Sequence, residues 1–461
     1  MQQTLQSLTS SFRDPAGFVF QKDGIIYRQV NKVFKEDFDL FISSGCYAHM
    51  AKNQWLISHE ELTENIFKSD THYKTLKPHA IPFISYPYEW CFNMLKDAAL
   101  LTLQLAKESI PFGIMLKDAT PFNIQWLHGK PIAIDTLSFE KYDPFKPWIA
   151  YRQFCENFLS PLLLMHYSQQ PIQSLMLAYP DGIPLSLTRS LLPWRSKFSF
   201  NTYLHIHLHE GLAARRIDKE EPRTNNFSEK KLRRLVDSLA DLVSSLKWNA
   251  KPSTWSNYYE EANQRSDYIE QKKKIIAQWI DETTGLQTCI DLGANEGEFS
   301  QLIAKKDIQT ISIDFDSNAI NQLYQLVKKE KEVNILPLLI DLANPSPAIG
   351  FNNSERSSFI QRAHLDIAMA LAIIHHLVIG KNFSFDMVSR LFKRLATLLI
   401  IEFIPKEDEK IQLMLRQKKD IYADYTESNF LATFEKHFSI LKKANVGNSG
   451  RVIYLMKKKD E

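Results

Sequence analysis

Apolar and polar residues in the C-terminal half of the chain follow two alternating periods. Short apolar runs typical of buried strands lie at 288–292, 309–314, 333–340, 366–371 and 398–403. Between these runs, apolar residues at helical spacing predict helices at 259–280, from 298 onward, and at 317–329, 385–395 and 427–436. Strands that alternate with helices predict a parallel sheet covered by helices on both faces. Two last strands, at 439–442 and 452–456, are close enough in sequence to form an antiparallel hairpin.

The N-terminal half has a less regular pattern. Helical spacing predicts helices at 90–108 and 232–246, and the densely charged segment 219–234 is typical of a solvated linker or helix face. A chain of 461 residues is longer than one ordinary core requires. We therefore predict two domains, an α+β domain over residues 1–250 and an α/β domain over residues 251–461.

Charge and composition narrow the classes of partner. The 56 basic and 53 acidic residues leave a formal charge of only +3, which argues against bulk nucleic-acid binding. The longest strongly apolar run, 395–404, is too short to cross a bilayer, so we expect no membrane span. The N-terminus lacks the pattern of a signal peptide, and four widely spaced cysteines favour a reduced, cytoplasmic protein. No feature of the sequence indicates an oligomeric state.

The most informative stretch is residues 289–297, Cys-Ile-Asp-Leu-Gly-Ala-Asn-Glu-Gly, where an apolar strand runs into a glycine-bearing loop. Gly293 and Gly297 allow a tight turn and the close approach of a ligand. The loop leads into a helix N-terminus at the carboxyl end of a strand, where doubly wound sheets bind nucleotides. Asp291 makes this site acidic, which favours a ligand with a positive centre and no phosphates. The alternative is that the acidic residues at the strand ends only cap helices.

Residues 255–457 resemble the class I S-adenosylmethionine (SAM) methyltransferases, whose sheet also ends in an antiparallel strand. The loop from Asp291 resembles their first motif, and the resemblance places Asp291 near the amino group of the cofactor's methionine. It places Asp314, rather than the weaker candidate Asp316, on the ribose diol, and Asp341 near the adenine amino group. The residues expected to contact SAM are Asp291, Gly293, Asn295, Gly297, Asp314, Phe315, Asp341, Leu342 and Ala370.

The end of the fourth strand supplies the candidates for catalysis. His375 and His376 would lie beside the transferred methyl group, and one of them could be the base for a hydroxyl acceptor. The alternative is that one or both cap the next helix or pack structurally. Because this segment is not Asn/Asp-Pro-Pro-aromatic and holds no cysteine, methylation of base amino groups and the covalent pyrimidine route are not indicated. We therefore expect O-methylation of a small-molecule or glycan acceptor.

Three further stretches, 401–408, 419–426 and 449–456, resemble the methyltransferase domain of nodulation protein NoeA-like proteins. Glu402 in the first of them is a candidate acid of the acceptor site. The aromatic stretch 255–259 could form a lid over the cofactor, with Lys272 in the helix that follows. The alternative is a helix packed on the sheet edge.

In the N-terminal half, residues 116–139 resemble the catalytic and metal-binding segment of protein kinases and aminoglycoside phosphotransferases. The resemblance implies that Asp118 orients the acceptor hydroxyl and that Asn123 and Asp135 bind magnesium. The segment departs from the family pattern at three positions, Leu116, Thr136 and Leu137, and no glycine-rich phosphate loop is evident.

We therefore predict a degenerate kinase-like domain that binds a substrate or a partner. The alternatives are an active phosphotransferase with an accessory methyltransferase-like domain, and a chain in which both halves only bind ligands. The alternating histidines at 205, 207 and 209 show no fixed three-ligand geometry, so we predict no metal site. Arg215 and Arg216 could bind an anionic group or could simply be surface charge.

Overall fold

The structure is a computed structural model that describes residues 5–208, 227–249, 266–331, 334–416 and 418–460. The chain forms two compact units, one of Met1–Ala250 with Ala348–Arg356 and one of Lys251–Pro347 with Ser357–Glu461. Arg215, Arg216, His209 and the possible lid at 255–259 lie outside the described residues. Within the described ranges, no helix is both long and apolar enough to cross a membrane.

The first unit begins with an antiparallel sheet of five strands in the order β1-β2-β3-β5-β4. These strands are β1 (Leu5–Ser7), β2 (Gly17–Lys22), β3 (Ile25–Asn31), β4 (His59–Leu62) and β5 (His72–Pro78). Two antiparallel pairs follow, one of β6 (Ile114–Leu116) with β9 (Phe139–Lys141) and one of β7 (Ile124–Leu127) with β8 (Lys130–Ala133). The hydrophobic contacts of this sheet include Phe34, Phe38 and Leu137, all buried.

A long central helix, α3 (Phe92–Ser109), organises the rest of the first unit. Eleven of its eighteen residues are buried, most of them apolar. Lys107 near its end donates to Asp237 at 2.6 Å, which ties it to the later helix α9 (Glu229–Ser245). The other α-helices of the unit are α1 (Lys35–Ser43), α2 (Cys46–Lys52), α4 (Tyr151–Phe154), α5 (Ser160–Ser168), α6 (Ser174–Ala178), α7 (Leu185–Leu191) and α8 (Phe200–Thr202).

Seven strands form one sheet in the second unit, in the order β12-β11-β10-β13-β14-β16-β15. The strands are β10 (Thr288–Leu292), β11 (Gln309–Asp314), β12 (Ile335–Leu339), β13 (Leu365–Ala370), β14 (Ala396–Phe403), β15 (Phe438–Asn445) and β16 (Val452–Lys458). The first five run parallel, whereas β16 is antiparallel to both β14 and β15. The central strands are buried on both faces, which is why they appear in the sequence as continuous apolar runs.

Helices connect and cover these strands. They are α10 (Ser266–Glu282), α11 (Glu298–Ala304), α12 (Ser317–Glu330), α13 (Phe359–Arg362), α14 (Phe385–Leu395), α15 (Glu409–Leu415) and α16 (Glu427–Phe434). Their amphipathic faces pack on the sheet, for example through Ile276, Ile280 and Ile303 against Ile367 and Ile400. A π-helical turn at His376–Gly380 follows β13. The apolar pattern therefore predicted the seven strands and five of the helices described in this unit, with differences of a few residues at their ends. The short helices α13 and α15 were not predicted, and residues 259–265 of the first predicted helix lie outside the described residues.

Candidate functional site

A cavity of about 150 Å³ opens in the second unit at the carboxyl ends of β10, β11, β12 and β13. Parallel strands deliver their last residues to one edge of the sheet, so side chains distant in sequence meet there. Its lining includes seven residues that the sequence predicted for the cofactor or for catalysis: Asp291, Gly293, Asn295, Asp314, Phe315, Asp341 and Leu342. Of the two candidate histidines it includes His376. The lining does not include Gly297, Ala370 or His375, all of them described residues that lie behind or beside it.

The glycine loop has a backbone that only glycine adopts easily. Gly293 and Gly297 have φ angles of +77° and +80°, in the left-handed region. A Cβ on Gly297 would come 2.4 Å from Cδ1 of Leu323. Gly297 is therefore required where α11 begins and packs against α12, and its contribution to the cavity is to shape the loop.

Asp291 is a buried carboxylate at the end of β10. The Ser300 hydroxyl donates to it at 2.6 Å, and the Ser312 hydroxyl donates in turn to Ser300 at 2.8 Å. Burial raises the pKa of Asp291 to about 6, and the Ser300 hydrogen bond and Lys272 oppose that rise. A cation arriving in the cavity would favour the ionised form of this carboxylate.

Asp314 and Asp316 have different roles. Asp314 accepts backbone N–H bonds from Asn295 at 3.0 Å and from Asp316 at 2.9 Å, which fixes its carboxylate at the cavity. Burial raises the pKa of Asp314, against the effect of these hydrogen bonds. Asp316 accepts from the N–H groups of Asn318 and Ala319 and so caps α12. Both aspartates line the cavity, and the choice of Asp314 over Asp316 as the ligand contact stays a prediction.

An apolar wall stands beside these carboxylates. Phe315 is 61% exposed although it is a large aromatic residue, and it lines the cavity together with Leu342. Asp341 accepts the backbone N–H of Ala343 at 2.8 Å, so its carboxylate is held at the end of β12. An exposed ring beside two fixed carboxylates suits a flat heterocycle attached to a polyol.

The two histidines after β13 are in contact, with ring centroids 4.1 Å apart. Burial lowers the pKa of His376 to about 4, and nearby Lys410 lowers it further. Burial also lowers the pKa of His375 well below its usual value, and the buried Nδ1 of His375 has no hydrogen-bond partner in the described part of the chain. Both rings are therefore neutral near pH 7, and His376 is the one that faces the cavity.

A buried polar network behind the cavity corrects the prediction for Glu402. This residue is completely buried rather than open to an acceptor, and its carboxylate lies 2.7 Å from the Lys272 ammonium. Tyr268 donates a short hydrogen bond to Glu402, and Arg451 donates to Tyr268 at 2.8 Å and to Asp408 at 2.9 Å. Burial disfavours the Glu402 carboxylate, but Lys272 and Arg451 outweigh burial and keep its pKa below the usual value. Tyr268 and Lys272 line the cavity, although the sequence pattern indicated no role for Lys272 beyond its place after a possible lid.

The polar residues predicted in the first unit also come together. Asn123 donates to Asp118 at 3.0 Å and to Ser138 at 3.0 Å, and Ser138 donates to Asp135 at 2.8 Å. Arg28 on β3 forms an ion pair with Asp135 at 2.6 Å. Arg28, Asp118, Asn123 and Asp135 line a cleft of about 360 Å³. Arg28 was not predicted, because no local motif links it to a carboxylate so far along the chain.

The histidines at 205 and 207 are not on a strand but in a π-helical stretch, Tyr203–Leu208. His205 contacts the Tyr151 and Ser238 hydroxyls at 2.9 and 3.0 Å, and His207 contacts Ser196 at 3.1 Å. These two rings therefore have separate hydroxyl partners within the helical part of the unit.

The strand order and the cavity define an α/β protein with a seven-stranded mixed sheet and a cavity at the carboxyl ends of its parallel strands. Nodulation protein NoeA of Rhizobium meliloti (strain 1021) is 31% identical over 466 residues, which cover 98% of this chain and 96% of that protein. The chain therefore belongs to the family of nodulation protein NoeA. No family model matches it.

Three solved structures illustrate the partial likeness that this chain shows to known folds. One is WbdD in complex with a kinase inhibitor, at 19% identity and a TM-score of 0.30, covering 42% of this chain and 41% of WbdD. Another is magnesium protoporphyrin IX methyltransferase from Synechocystis PCC 6803 with bound S-adenosylhomocysteine (SAH), at 16% identity and a TM-score of 0.31, covering 42% of this chain and 84% of that one. A SAM-dependent methyltransferase from Clostridium acetobutylicum ATCC 824 is 12% identical with a TM-score of 0.33, covering 45% and 100%. The description of the Clostridium acetobutylicum structure names SAM as the methyl donor of that protein.

Proposed function

We propose that this protein is a SAM-dependent methyltransferase that methylates a hydroxyl group of a small molecule or glycan. The observation that carries the proposal is the meeting of three carboxylates, Asp291, Asp314 and Asp341, at the ends of adjacent strands around one cavity. Four carboxylates in the lining, counting Asp316, suit a ligand with a positive centre better than a phosphorylated nucleotide. Membership of the NoeA family is compatible with this activity.

Each predicted cofactor residue has a distinct task in this proposal. Asp291 binds the ammonium of the methionyl group, and Asp314 accepts hydrogen bonds from the ribose hydroxyls. Phe315 and Leu342 contact the adenine ring, and Asp341 accepts from its amino group. Gly293 and Asn295 bring the loop backbone close to the ligand, whereas Gly297 and Ala370 support the loop and the strand end. SAM, when bound, supplies the electrophilic methyl group; the protein aligns the acceptor with it.

His376 is the proposed base for the acceptor hydroxyl. Its ring lines the cavity and is neutral above about pH 4, so its lone pair is available at physiological pH. His375 is buried and its ring contacts that of His376, which fits a positioning residue rather than a second base.

Isothermal titration calorimetry with SAM tests the cofactor assignment. We expect the wild-type protein to bind SAM and Asp314→Ala to bind it at least about tenfold more weakly. The acceptor class is tested by incubating the protein with methyl-labelled SAM and cell extracts, followed by mass spectrometry of the labelled products. Absence of SAM binding to the wild type would refute the activity, and label on nitrogen or carbon alone would refute O-methylation.

A second proposal concerns the first unit, which we infer to be a degenerate kinase-like domain that binds the acceptor or a partner without transferring phosphate. Its chain order supports the likeness: a five-stranded antiparallel sheet, then β6, the Asp118–Asn123 turn, the β7–β8 hairpin, Asp135 and β9. Its Arg28–Asp135 ion pair argues against a metal site, because Arg28 already neutralises the carboxylate that would bind magnesium. Magnesium-dependent ATP binding by the wild type would favour the phosphotransferase alternative instead.

The proposed location is the cytoplasm. All four cysteines are buried free thiols, which suits a reducing compartment. An acceptor that is soluble in that compartment would be consistent with both proposals.

A further inference from the structure

One end of the methyltransferase-like cavity carries two opposite charges side by side. Asp291 at the end of β10 and Lys272 on α10 both line the cavity and are both almost completely buried. Each acts electrostatically on the other, yet they do not come within 4.0 Å to form an ion pair. Because these two buried, opposite charges lie near each other without forming an ion pair together, a ligand group has room between or beside them.

The ammonium of Lys272 is held by the network behind the cavity. It donates to Glu402 at 2.7 Å and to the Tyr268 hydroxyl at 3.4 Å, and it lies over the Phe299 ring at 5.0 Å from the centroid. An ammonium has three N–H donors, and these are its two hydrogen-bond acceptors among the described residues. One donor therefore remains, and because Lys272 lines the cavity this donor is open to a group bound there.

The cavity needs such a cation if its ligand carries a negative group. Four aspartates contribute to the lining, so a carboxylate entering alone would meet repulsion and lose its water. The lining has only one other cation in the described residues, Lys381, which is exposed and therefore screened by solvent. Lys272 is the buried cation near Asp291, and Asp291 is the carboxylate that suits the ammonium of a ligand.

We propose that Lys272 binds the carboxylate of the cofactor's methionyl group, so that Lys272 and Asp291 together recognise an α-amino acid zwitterion. This inference rests on the proposed SAM-binding function. In it, Glu402, Tyr268 and Arg451 are positioning residues that hold the Lys272 ammonium without touching the ligand. Lys272 thereby determines specificity, because it selects cofactor forms that retain the amino acid carboxylate.

The test compares ligands that differ only in that carboxylate. Calorimetric titrations of the full-length protein with SAM and with decarboxylated SAM measure how strongly it favours the carboxylate. We expect the wild type to bind SAM at least about tenfold more tightly than the decarboxylated form, since a charge-assisted hydrogen bond is lost. Lys272→Met should weaken SAM binding by a similar factor and leave the affinity for the decarboxylated form unchanged, so that the preference disappears.

Two controls keep the result interpretable. Lys273→Met makes the same substitution one position along α10, at a side chain that pairs with Glu270 and Glu298 outside the cavity, and should keep the wild-type preference. Because Lys272→Met leaves Glu402 buried with fewer partners, Lys272→Met/Glu402→Gln removes the pair together and should behave like the single variant. Circular dichroism confirms the fold of each.

The outcomes separate the two proposals. No binding of SAM to the wild type overturns the proposed function. If the wild type and Lys272→Met prefer SAM over decarboxylated SAM to the same extent, only the role of Lys272 is overturned. The same holds if Lys381→Met, rather than Lys272→Met, loses this preference. If neither Lys272 variant folds, the titrations of the wild type with SAM and with decarboxylated SAM are the test. Equal affinity of the wild type for these two ligands overturns the inference.

Discussion

Nη2 of Arg28 lies 2.6 Å from a carboxylate oxygen of Asp135, and both side chains are nearly buried. The same carboxylate accepts the Leu137 N–H and the Ser138 hydroxyl, each at 2.8 Å. In a kinase-like arrangement this position would bind a metal ion, but here an arginine from β3 supplies the positive charge. The ion pair therefore gives the first unit a cleft suited to binding without metal.

Removing this arginine should change the metal affinity of the cleft. We expect Arg28→Met to bind Mn²⁺ measurably by electron paramagnetic resonance. In this variant the carboxylates of Asp118 and Asp135 no longer have a compensating cation, and Asn123 can add an amide oxygen as a ligand. Arg28→Lys retains the charge and should not bind the ion, as the wild type should not. Tight Mn²⁺ binding by the wild type would contradict the degenerate assignment.

Asp291 should link cofactor binding to pH. Burial raises the pKa of Asp291 in the folded protein to about 6, so the fold favours the protonated carboxyl group. The contribution of Asp291 to stability is complete below the pKa of the unfolded chain and is lost as the pH rises through 6. We expect Asp291→Asn to raise the free energy of unfolding by about 1 kcal/mol or more at pH 7.5 and by less at pH 4.5, measured by urea denaturation.

The same variant should lose affinity for SAM. Binding to the wild type should weaken as pH falls below 6, because the carboxylate that binds the ammonium becomes protonated. Calorimetry over pH 5 to 8 measures this slope for the wild type. A variant that binds SAM as tightly as the wild type at pH 7.5 would show that Asp291 is only structural.

Asp314 and Asp316 form a matched pair for separating binding from stability. Asp314→Asn should weaken SAM binding at least about tenfold with a small effect on unfolding, because the ribose acceptor is altered. Asp316→Ala should lower the free energy of unfolding by about 1 kcal/mol, because α12 loses its N-cap, and should leave binding nearly intact. Calorimetry and urea denaturation of both variants measure the two effects, and an exchange of the two phenotypes would contradict the assignment.

Gly297 should tolerate no side chain. An alanine there combines a φ of +80° with a Cβ 2.4 Å from Leu323, so Gly297→Ala should lower the free energy of unfolding by about 3 kcal/mol. Gly285 has a similar φ of +82° but open space around it. Gly285→Ala therefore reports the backbone strain alone and should cost about 1 kcal/mol in the same denaturation assay. Equal losses would mean that Leu323 moves aside.

His376 should make the protein sensitive to acid. Its folded-state pKa of about 4 lies below that of an unfolded histidine, so its contribution to stability is complete above pH 6.5 and is lost as pH falls toward 4. Between pH 7.5 and 5, we expect the wild type to lose about 1 to 2 kcal/mol more than His376→Asn. The asparagine variant should also slow methyl transfer without changing SAM affinity, which labelled-product assays and calorimetry measure; unchanged transfer would exclude the base.

The alternation of strand and helix periods was sufficient to predict the second unit. Each parallel strand buries both faces, so its sequence is a continuous apolar run, and Asp291, Asp314 and Asp341 stand at the ends of such runs. The first unit was harder, because its short antiparallel strands and π-helical turns leave no regular period. Its Asp118, Asn123 and Asp135 were singled out only through the resemblance of residues 116–139 to the catalytic segment of kinases.

The residues that the sequence misjudged are those whose partners lie far along the chain. Glu402 is the last residue but one of the apolar strand β14 and so resembled an exposed strand-end acid. In the structure it is buried beside Lys272 of α10 and Arg451, which directly precedes β16. The segment Ala348–Arg356, which lies between β12 and β13 in sequence, belongs to the first unit. The period of apolar residues along the sequence indicates neither the contacts of Glu402 nor the unit to which Ala348–Arg356 belongs.

The sequence by itself determined the positions of the strands and helices in the second unit, the glycine loop and the carboxylates at the strand ends. These features depend on local period and on residues a few positions apart. Only the tertiary structure decided that Lys272 pairs with Glu402 beneath the cavity, that Arg28 neutralises Asp135, and that His376 rather than His375 faces the ligand space. The physical reason is that burial and charge pairing depend on which distant side chains meet in a medium of low dielectric constant.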